Sequence, residues 1–428
     1  MIGTKALYKQ STSYRLSAAG LLPVARLMES DMVDSSARRG CERPTQLQFD
    51  MSLLAALLDR WWLETHTFHL PVGELTPTLE DVSMLLGLPC AGAAVAAMDV
   101  LPVWRDKLLG RFADVPHVDS APQYHTFSNS HGPTKAWFQQ FSAEYMREDA
   151  NETTVARHLE AYLLWLFGWT LFCTSQGNSV PKHLLPYARA IAEAPLAEVP
   201  QYSWDLAMLA ATYRGLCTGC VKVSSAEPIF LGCPLLLQLW AYERFPIGRP
   251  RMDMSPYLGG LDEDDVNKPT MGSLWCLRRA VWTGVQTKKS YPDFVSMFDA
   301  LVDTDVRWRP YNFEEVDARA LHGLSSLCYR DMAYWRMRRL VVYDIHVEDY
   351  TVDRVMRQFG LYQHSPLPAT CNPYGPLVHL HLHRRYDQQA TQTRDGFRRI
   401  HTTRQRGPVA KLGSMSFFRV DPNLLSPS

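Results

Sequence analysis

Lysine is scarce in this 428-residue chain, which carries 10 lysines and 34 arginines against 44 acidic residues. Because the opposite charges balance, no overall basic field indicates nucleic-acid binding. Arginine forms bidentate pairs with carboxylates and phosphates, and it tolerates partial burial better than lysine does. The excess of arginine therefore fits either buried ion pairs in a large core or contacts with phosphate.

Long hydrophobic runs are also missing. The most hydrophobic run, at residues 162–173, has 12 residues, whereas a helix needs about 20 to span a bilayer. We expect a core helix there and no membrane partner. The first 20 residues lack the apolar core of a secretory signal. The nine cysteines are scattered and odd in number, which argues against a disulfide framework and favours a reducing nuclear or cytosolic compartment.

Common enzyme motifs are absent from the sequence. It contains no GxGxxG, GxxxxGK[ST], GxSxG or HExxH, the patterns that mark dinucleotide, phosphate, serine-hydrolase and zinc-protease sites. The acidic runs at residues 262–265 and at Glu314 and Glu315 consist of adjacent acids. The ligands of a two-metal site usually come from separate elements, so these runs favour solvated loops. We predict no enzyme, no cofactor and no catalytic residue.

Two groups of cysteine or histidine residues could bind a metal, but each also fits a different role. Cys217 and Cys220 form a CxxC pair, which is half of a zinc site and otherwise a structural or redox pair. His379, His381 and His383 alternate, so a strand would place them on one face, where they could bind a transition metal or form a solvated strand edge.

Apolar residues recur at helical spacing along much of the chain. The pattern predicts helices over residues 46–65, 182–194, 204–217, 234–245 and 291–301, with a strand at residues 340–347. Glu243 and Arg244 lie in an apolar helix, where we expect them to form partly buried ion pairs. The fold class is predominantly α: a large single helical domain at residues 15–365 with one or two small β-hairpins, followed by a flexible basic tail at residues 366–428.

Residues 68–89 form the most informative segment, FHLPVGELTPTLEDVSMLLGLP. Alternating residues on either side of a Pro-Val-Gly turn predict a hairpin. Thr76 is the predicted cap of a following helix that carries Glu80 and Asp81 in its first turn and ends at Gly87. We call residues 68–89 the signature segment.

The signature segment resembles the plant mobile domain family, which is related to a domain of Mutator-like transposable elements and carries an "aminotransferase-like" label. Further stretches of the chain resemble the same family: WDLAMLAATYRGLC, GCPLLLQLWAYERFP, RWRPY and RVMRQFGLYQHSP. The phosphatase motifs GDxHG, GDxxDRG and GNHE, which some fused relatives carry, are missing. No lysine follows a glycine-rich phosphate loop as aminotransferase chemistry would require.

The resemblance implies a non-enzymatic nuclear interaction module that acts in transposon silencing, genome stability and meristem maintenance with a phosphatase-7-like protein partner. Glu74 and Thr76, beside the hairpin, are the predicted partner-binding residues. The alternative is a transposon-derived protein that binds DNA or RNA through its basic tail and through exposed arginines, among them Arg336, Arg338 and Arg339. The predicted nucleic-acid-binding residues of the tail are Arg384, Arg385, Arg394, Arg398, Arg399, Arg404 and Arg406.

Overall fold

The computed structural model describes residues 4–28, 49–98, 103–116, 145–173, 180–220, 232–249, 264–275 and 289–365, with shorter stretches at 133–134, 137–138, 140–142, 251–252, 257 and 280–281. The structure of these residues is predominantly helical, as predicted. Their buried apolar side chains form one continuous cluster that runs from Leu16 to Val352. The basic tail lies outside the described residues.

Three helices of the described residues precede the signature segment. Helices α1 (Thr4–Ala18) and α2 (Leu22–Met28) are separated by Gly20, whose φ of 72° favours glycine. Helix α3 (Met51–Leu58) begins at Asp50, whose carboxylate accepts the amide N–H groups of Ser52 and Leu53. The helix predicted over residues 46–65 is therefore too long.

The residues after α3 form a three-stranded antiparallel sheet, because the indole rings of the Trp pair suit a strand better than a helix end. Strand β1 (Trp61–Trp62) pairs with β2 (Thr67–Leu70), and β2 pairs with β3 (Gly73–Leu75). The β2–β3 hairpin of the signature segment is confirmed.

Helix α4 (Leu79–Leu86) follows the hairpin and ends at Gly87, with φ of 63°, as predicted. The prediction that Thr76 caps this helix was wrong. Thr78 is the cap, because its hydroxyl accepts the amide of Asp81 while the Asp81 carboxylate accepts the amide of Thr78. The backbone of Thr76 is instead bonded to the side chain of Gln358.

The central helices carry most of the core, and the helices predicted at residues 182–194, 204–217 and 234–245 have bounds close to the expected ones. The central helices are α5 (Trp104–Phe112), α6 (Glu152–Leu166), α7 (Leu185–Glu193), α8 (Trp204–Cys220) and α9 (Pro234–Arg244). Helix α6 continues as a π-helix over Phe167–Leu171, so the hydrophobic run of residues 162–173 is a buried core element. Among the described residues, no helix combines the length and hydrophobicity needed to cross a membrane.

The remaining described elements close the core on the C-terminal side. They are strands β4 (Arg251–Met252) and β5 (Ala280–Val281), helices α10 (Tyr291–Asp299) and α11 (Phe313–Arg319), strands β6 (Arg339–Tyr343) and β7 (His346–Tyr350), and a 3₁₀ helix over Val352–Phe359. The single strand predicted at residues 340–347 is wrong in its bounds: the chain turns at Asp344, whose φ is 55°, and forms the β6–β7 hairpin.

Candidate functional site

A buried ion pair joins two stretches that are far apart in the sequence. The Arg244 guanidinium in α9 donates to the Asp81 carboxylate in α4 over 2.8 Å, and both side chains are fully buried. The other Asp81 oxygen accepts the amide and hydroxyl of Thr78. Asp81 therefore caps its own helix and holds α9 against it.

The RWRPY segment completes this pair. Arg244 also donates to the backbone carbonyl of Trp308 over 2.6 Å, and the Tyr311 hydroxyl donates to the Asp81 carboxylate over 2.9 Å. Burial and the Asp81 carboxylate raise the pKa of Tyr311 well above its usual range, so the phenol stays protonated as a donor. We call Thr78, Asp81, Arg244, Trp308 and Tyr311 the buried junction.

A second pair extends the junction along α9. The Glu243 carboxylate is fully buried and accepts a guanidinium nitrogen of Arg319 through both oxygens, at 2.9 and 2.8 Å. It also accepts the indole N–H of Trp275 over 2.7 Å. The prediction of buried ion pairs at Glu243 and Arg244 is confirmed, and it accounts for part of the excess of arginine.

The 3₁₀ helix over Val352–Phe359 packs against the end of the β2–β3 hairpin. Arg354 makes a bidentate pair with Glu74, with both distances 2.7 Å, and the amide of Gln358 bonds the backbone of Thr76. Thr76 is buried, at 2% exposure, and Glu74 is three-quarters buried against Arg354. The surface predicted around Glu74 and Thr76 is therefore mostly covered by residues 352–359, which the sequence order did not reveal.

The junction neutralises its own charges. Its carboxylates accept hydrogen bonds from arginine, tyrosine, tryptophan and backbone donors, which is the arrangement that lets ions persist in a core. Across the described part of the chain, no three His, Cys, Asp or Glu residues converge as a metal site would require. The arrangement can hold separate segments in register, and it positions what lies on the surface above it.

The segment above the junction exposes large apolar side chains. Trp335 anchors it, because its indole donates to the Ser83 hydroxyl of α4 over 3.1 Å and its carbonyl accepts the Tyr350 hydroxyl over 2.6 Å. Between the buried residues, the short 3₁₀ turns of this segment expose 39% of Tyr329, 52% of Met332 and 49% of Met337. We call Tyr329–Met337 the methionine ridge.

Charged groups line the edge between the ridge and helix α4. Glu80 is partly buried, and burial raises its pKa to about 7, helped by the neighbouring Asp81. The charges of Arg244, Arg309 and Arg336 oppose this increase, so these guanidiniums lie close enough to act on the carboxyl. Arg336 is exposed. The ridge therefore combines methionine, an aromatic ring and arginine, the residue types enriched in protein interfaces.

A buried carboxyl lies beneath the same segment. Asp205, in the first turn of α8, is fully buried, and burial raises its pKa to about 8. The Cys90 thiol and Arg339 lower the pKa, while Asp331 raises it. Asp331 itself accepts the Cys90 amide over 2.8 Å. The Cys90 thiol, Asp331 and Arg339 thus surround Asp205 closely enough to act on its pKa.

We expect the free energy of unfolding to fall as the pH rises from about 4 to about 8, since in this window Asp205 is ionised in the unfolded chain but still protonated when folded. Asp205→Asn should flatten that part of the profile and stabilise the protein at pH 8. Urea unfolding at a series of pH values measures both effects. A variant profile as steep as the wild-type profile would show that another group is responsible.

The other predicted chemical groups have different environments. Cys217 is buried and accepts the Trp61 indole N–H over 3.2 Å, while Cys220 is partly exposed. Asp265 pairs with Lys268. Glu314 and Glu315 lie in the first turn of α11, which is a helix and not a loop. The alternating histidines (His379, His381 and His383) and the seven tail arginines lie outside the described residues.

Two of the arginines predicted to be exposed are engaged. Arg338 pairs with Asp349 and Asp353, at 3.2 and 3.5 Å. Arg339 is half-buried, stacks over the Tyr334 ring and contacts the Cys90 sulfur. Arg336 is exposed, as predicted. The sequence did not indicate the methionine ridge, because its exposed side chains follow short 3₁₀ turns without a regular period.

The chain belongs to the plant mobile domain family, whose family model matches residues 42–411. Among Arabidopsis thaliana proteins, it is 34% identical to Serine/threonine-protein phosphatase 7 long form homolog over 76% of this chain and 22% of that protein. It is 30% identical to Protein MAIN-LIKE 2 over 78% of this chain and 45% of that one.

A third relative, Protein MAINTENANCE OF MERISTEMS of the same plant, is 28% identical over 75% of this chain and 59% of its own length. The chain thus spans less than two thirds of the curated relatives that it matches. No solved structure matches it. The family prediction made from the signature segment is confirmed.

Proposed function

We propose that this chain is a non-enzymatic nuclear interaction module that binds a phosphatase-7-like protein through the methionine ridge and acts in transposon silencing, genome stability and meristem maintenance. The exposed apolar surface of the ridge is the observation that carries the proposal. The printed names of two relatives, a phosphatase 7 long form homolog and MAINTENANCE OF MERISTEMS, support the choice of partner and the meristem role in this proposal.

The ridge suits a protein partner for two physical reasons. Methionine is unbranched and adapts to irregular surfaces, and exposed apolar side chains grouped together mark interaction sites more often than scattered ones do. The bonds of Trp335 to Ser83 and Tyr350 hold the ridge backbone in place, so little conformational entropy is lost on binding. The exposed Arg336 and its neighbour Arg309 favour an acidic rim on the partner.

The proposal of a non-enzymatic role rests on how the buried charges are used. Asp81 pairs with Arg244 and Glu243 pairs with Arg319, and both carboxylates are fully buried, so these charged groups are used to hold segments of the core together. A catalytic acid or base would instead be free to reach a reacting atom. The buried junction thus holds α4, α9 and the RWRPY segment together.

The test is affinity purification of the tagged protein from nuclease-treated plant nuclei. The unmodified chain should recover a phosphatase-7-like protein. Met332→Glu combined with Met337→Glu should reduce that recovery by about tenfold or more, since loss of an interface hot spot costs about 2 kcal/mol. Leu196→Glu is the matched control, because Leu196 is exposed to a similar extent, at 51%, in another segment.

Equal recovery of the phosphatase with the ridge variant and with the unmodified chain would show that the interface lies elsewhere. Failure to recover the phosphatase with the unmodified chain would overturn the proposed partner. Failure to find the protein in nuclei would overturn the proposed location.

Nucleic-acid binding is the second candidate, and the charge of the tail favours it. Residues 384–411 contain eight Lys or Arg residues against Asp387 and Asp395. Contacts with phosphate weaken steeply with salt. Substitution of Arg398 and Arg399 by alanine in the full chain should therefore lower DNA affinity and reduce its salt dependence in a filter-binding titration. Affinity independent of salt would exclude this candidate.

A further inference from the structure

Helix α11 turns one face to solvent. This face consists of Phe313, Glu314, Asp317 and Ala318, all exposed, while Val316 on the other side is buried. Residues three and four positions apart on a helix are neighbours, so the Phe313 ring and the two carboxylates lie on one surface. Among the described residues, Phe313 is the most exposed large apolar side chain, at 82%. We call Phe313, Glu314, Asp317 and Ala318 the open face of α11.

The open face lies in an acidic part of the chain. Residues 299–317 contain six acids and two arginines. Glu315 pairs with Arg307 over 3.5 Å, whereas neither Glu314 nor Asp317 forms an ion pair within the described part of the chain. An exposed ring beside unpaired carboxylates suits arginine, which stacks on aromatic rings and pairs with carboxylates.

The chain already binds one arginine in this way near the open face. The Arg357 guanidinium lies 3.7 Å from the centroid of the Trp308 ring and pairs with the Asp303 carboxylate. Trp308 belongs to the RWRPY segment, which leads into α11. The surface around α11 is therefore able to hold a guanidinium between a ring and a carboxylate.

The described residues end close to the open face. The Gln363 side chain donates to the Asp353 carbonyl over 2.8 Å, so the chain folds back along the last 3₁₀ helix. A Cβ at Gly360 would lie 2.6 Å from the Arg309 Cδ. The Arg309 carbonyl accepts the amide of Asn312, the residue before α11. The tail therefore begins beside the turn that precedes α11.

The charge and the position of residues 394–406 match the open face. This segment carries one acid, no lysine and five arginines, at positions 394, 398, 399, 404 and 406. It is joined to the last described residue by residues 366–393, and a linker of 28 residues spans about 30 Å even as a random coil. Opposite charges favour contact between the two surfaces, and arginine fits the ring and carboxylates better than lysine would.

We propose that residues 394–406 dock onto the open face of α11 in the same chain, with arginine on the Phe313 ring and paired with Glu314 and Asp317. The effective concentration of a tethered segment is on the order of 1 mM, so a segment with its own Kd of about 0.1 mM is docked about nine-tenths of the time. Docking withholds these arginines from phosphate and other anions. The proposal does not depend on the methionine ridge or on the partner proposed for it.

Trypsin measures the docking in the folded full chain, because it cleaves after arginine and needs the segment to be released from the surface. Mass spectrometry follows the rate of cleavage after Arg398 and Arg404. Glu314→Gln combined with Asp317→Asn should increase that rate about tenfold, since the segment is then released nearly all of the time. Phe313→Ala should increase it as well.

Asp106→Asn combined with Asp114→Asn is the matched control. Both residues are exposed, in α5 and just after it, and their replacement removes the same amount of charge. The control should be cleaved at the rate of the unmodified chain. High salt should abolish the difference between the control and the open-face variant, because it screens contacts between exposed charges.

Equal rates for the open-face variant and the unmodified chain would overturn the proposal. An increase of the same size in the control variant would also overturn it, since the effect would then follow net charge and not the open face. Protection that rises with protein concentration would assign the open face to a second copy of the chain and exclude docking within one chain.

Discussion

Replacing Arg244 with methionine should cost about 3–5 kcal/mol of unfolding free energy, because it leaves the buried Asp81 carboxylate without its counter-charge. Arg244 also donates to the Trp308 carbonyl, so the change removes partners from two segments at once. Urea unfolding followed by tryptophan fluorescence measures the loss. An effect of this size would make the junction one of the main determinants of stability in the domain.

Other variants of this chain provide a control for the Arg244 prediction and a measure of the coupling between Asp81 and Arg244. Arg147 pairs with Asp149 on the surface, where the side chains are 50% and 70% exposed, so Arg147→Met should leave stability unchanged. Asp81→Asn combined with Arg244→Met should cost less than the sum of the single changes, because each removes the same interaction. Additive costs would show that the two groups act independently.

Gly232→Ala should cost about 3 kcal/mol or more of unfolding free energy. The φ of Gly232 is 80°, and a Cβ there would lie 2.5 Å from the Thr212 Cα and 2.6 Å from the Ala211 carbonyl oxygen. Both atoms belong to the backbone of α8, which cannot rotate away as a side chain can. Gly232 also pairs with Cys173 through two backbone hydrogen bonds, so a shift of Gly232 disturbs the end of the π-helix segment as well.

Variants of two further glycines separate the effect of backbone strain from that of the steric clash. Gly323 has φ of 78° but open space around it, so Gly323→Ala should cost only the backbone strain, about 1–2 kcal/mol. Gly110 lies in α5 with no atom near its missing Cβ, so Gly110→Ala should stabilise the helix by up to about 1 kcal/mol. Thermal and urea unfolding of the three variants tests this order. A Gly232→Ala protein as stable as Gly323→Ala would show that α8 yields easily.

The sequence predicted the elements whose local pattern agrees with the global fold. Pro234 at the start of α9 and Gly87 after α4 mark helix ends that the structure places where expected. The prediction failed at Thr76, because two threonines precede the helix and only the hydrogen bond between Thr78 and Asp81 decides which one caps it. Spacing alone does not contain that choice.

The site was harder to predict than the fold. Glu243 and Arg244 were predicted to pair because charges in an apolar helix need partners, but their partners Asp81 and Arg319 are distant in sequence and no period links them. Thr76 was predicted to lie on an exposed surface. The prediction failed because Gln358, which covers Thr76, comes from the other end of the described chain.

The bonds between the hairpin and the last 3₁₀ helix join residues 280 and 282 positions apart in the chain. During synthesis, the signature segment emerges from the ribosome long before Arg354 and Gln358 do. At about 5–20 residues per second, its closing partners arrive roughly 15–55 seconds later. Contacts of such long range also slow folding after release. Until then, the surface of the hairpin and of α4 that these residues cover stays exposed to solvent. We therefore expect nascent chains to bind chaperones at this segment.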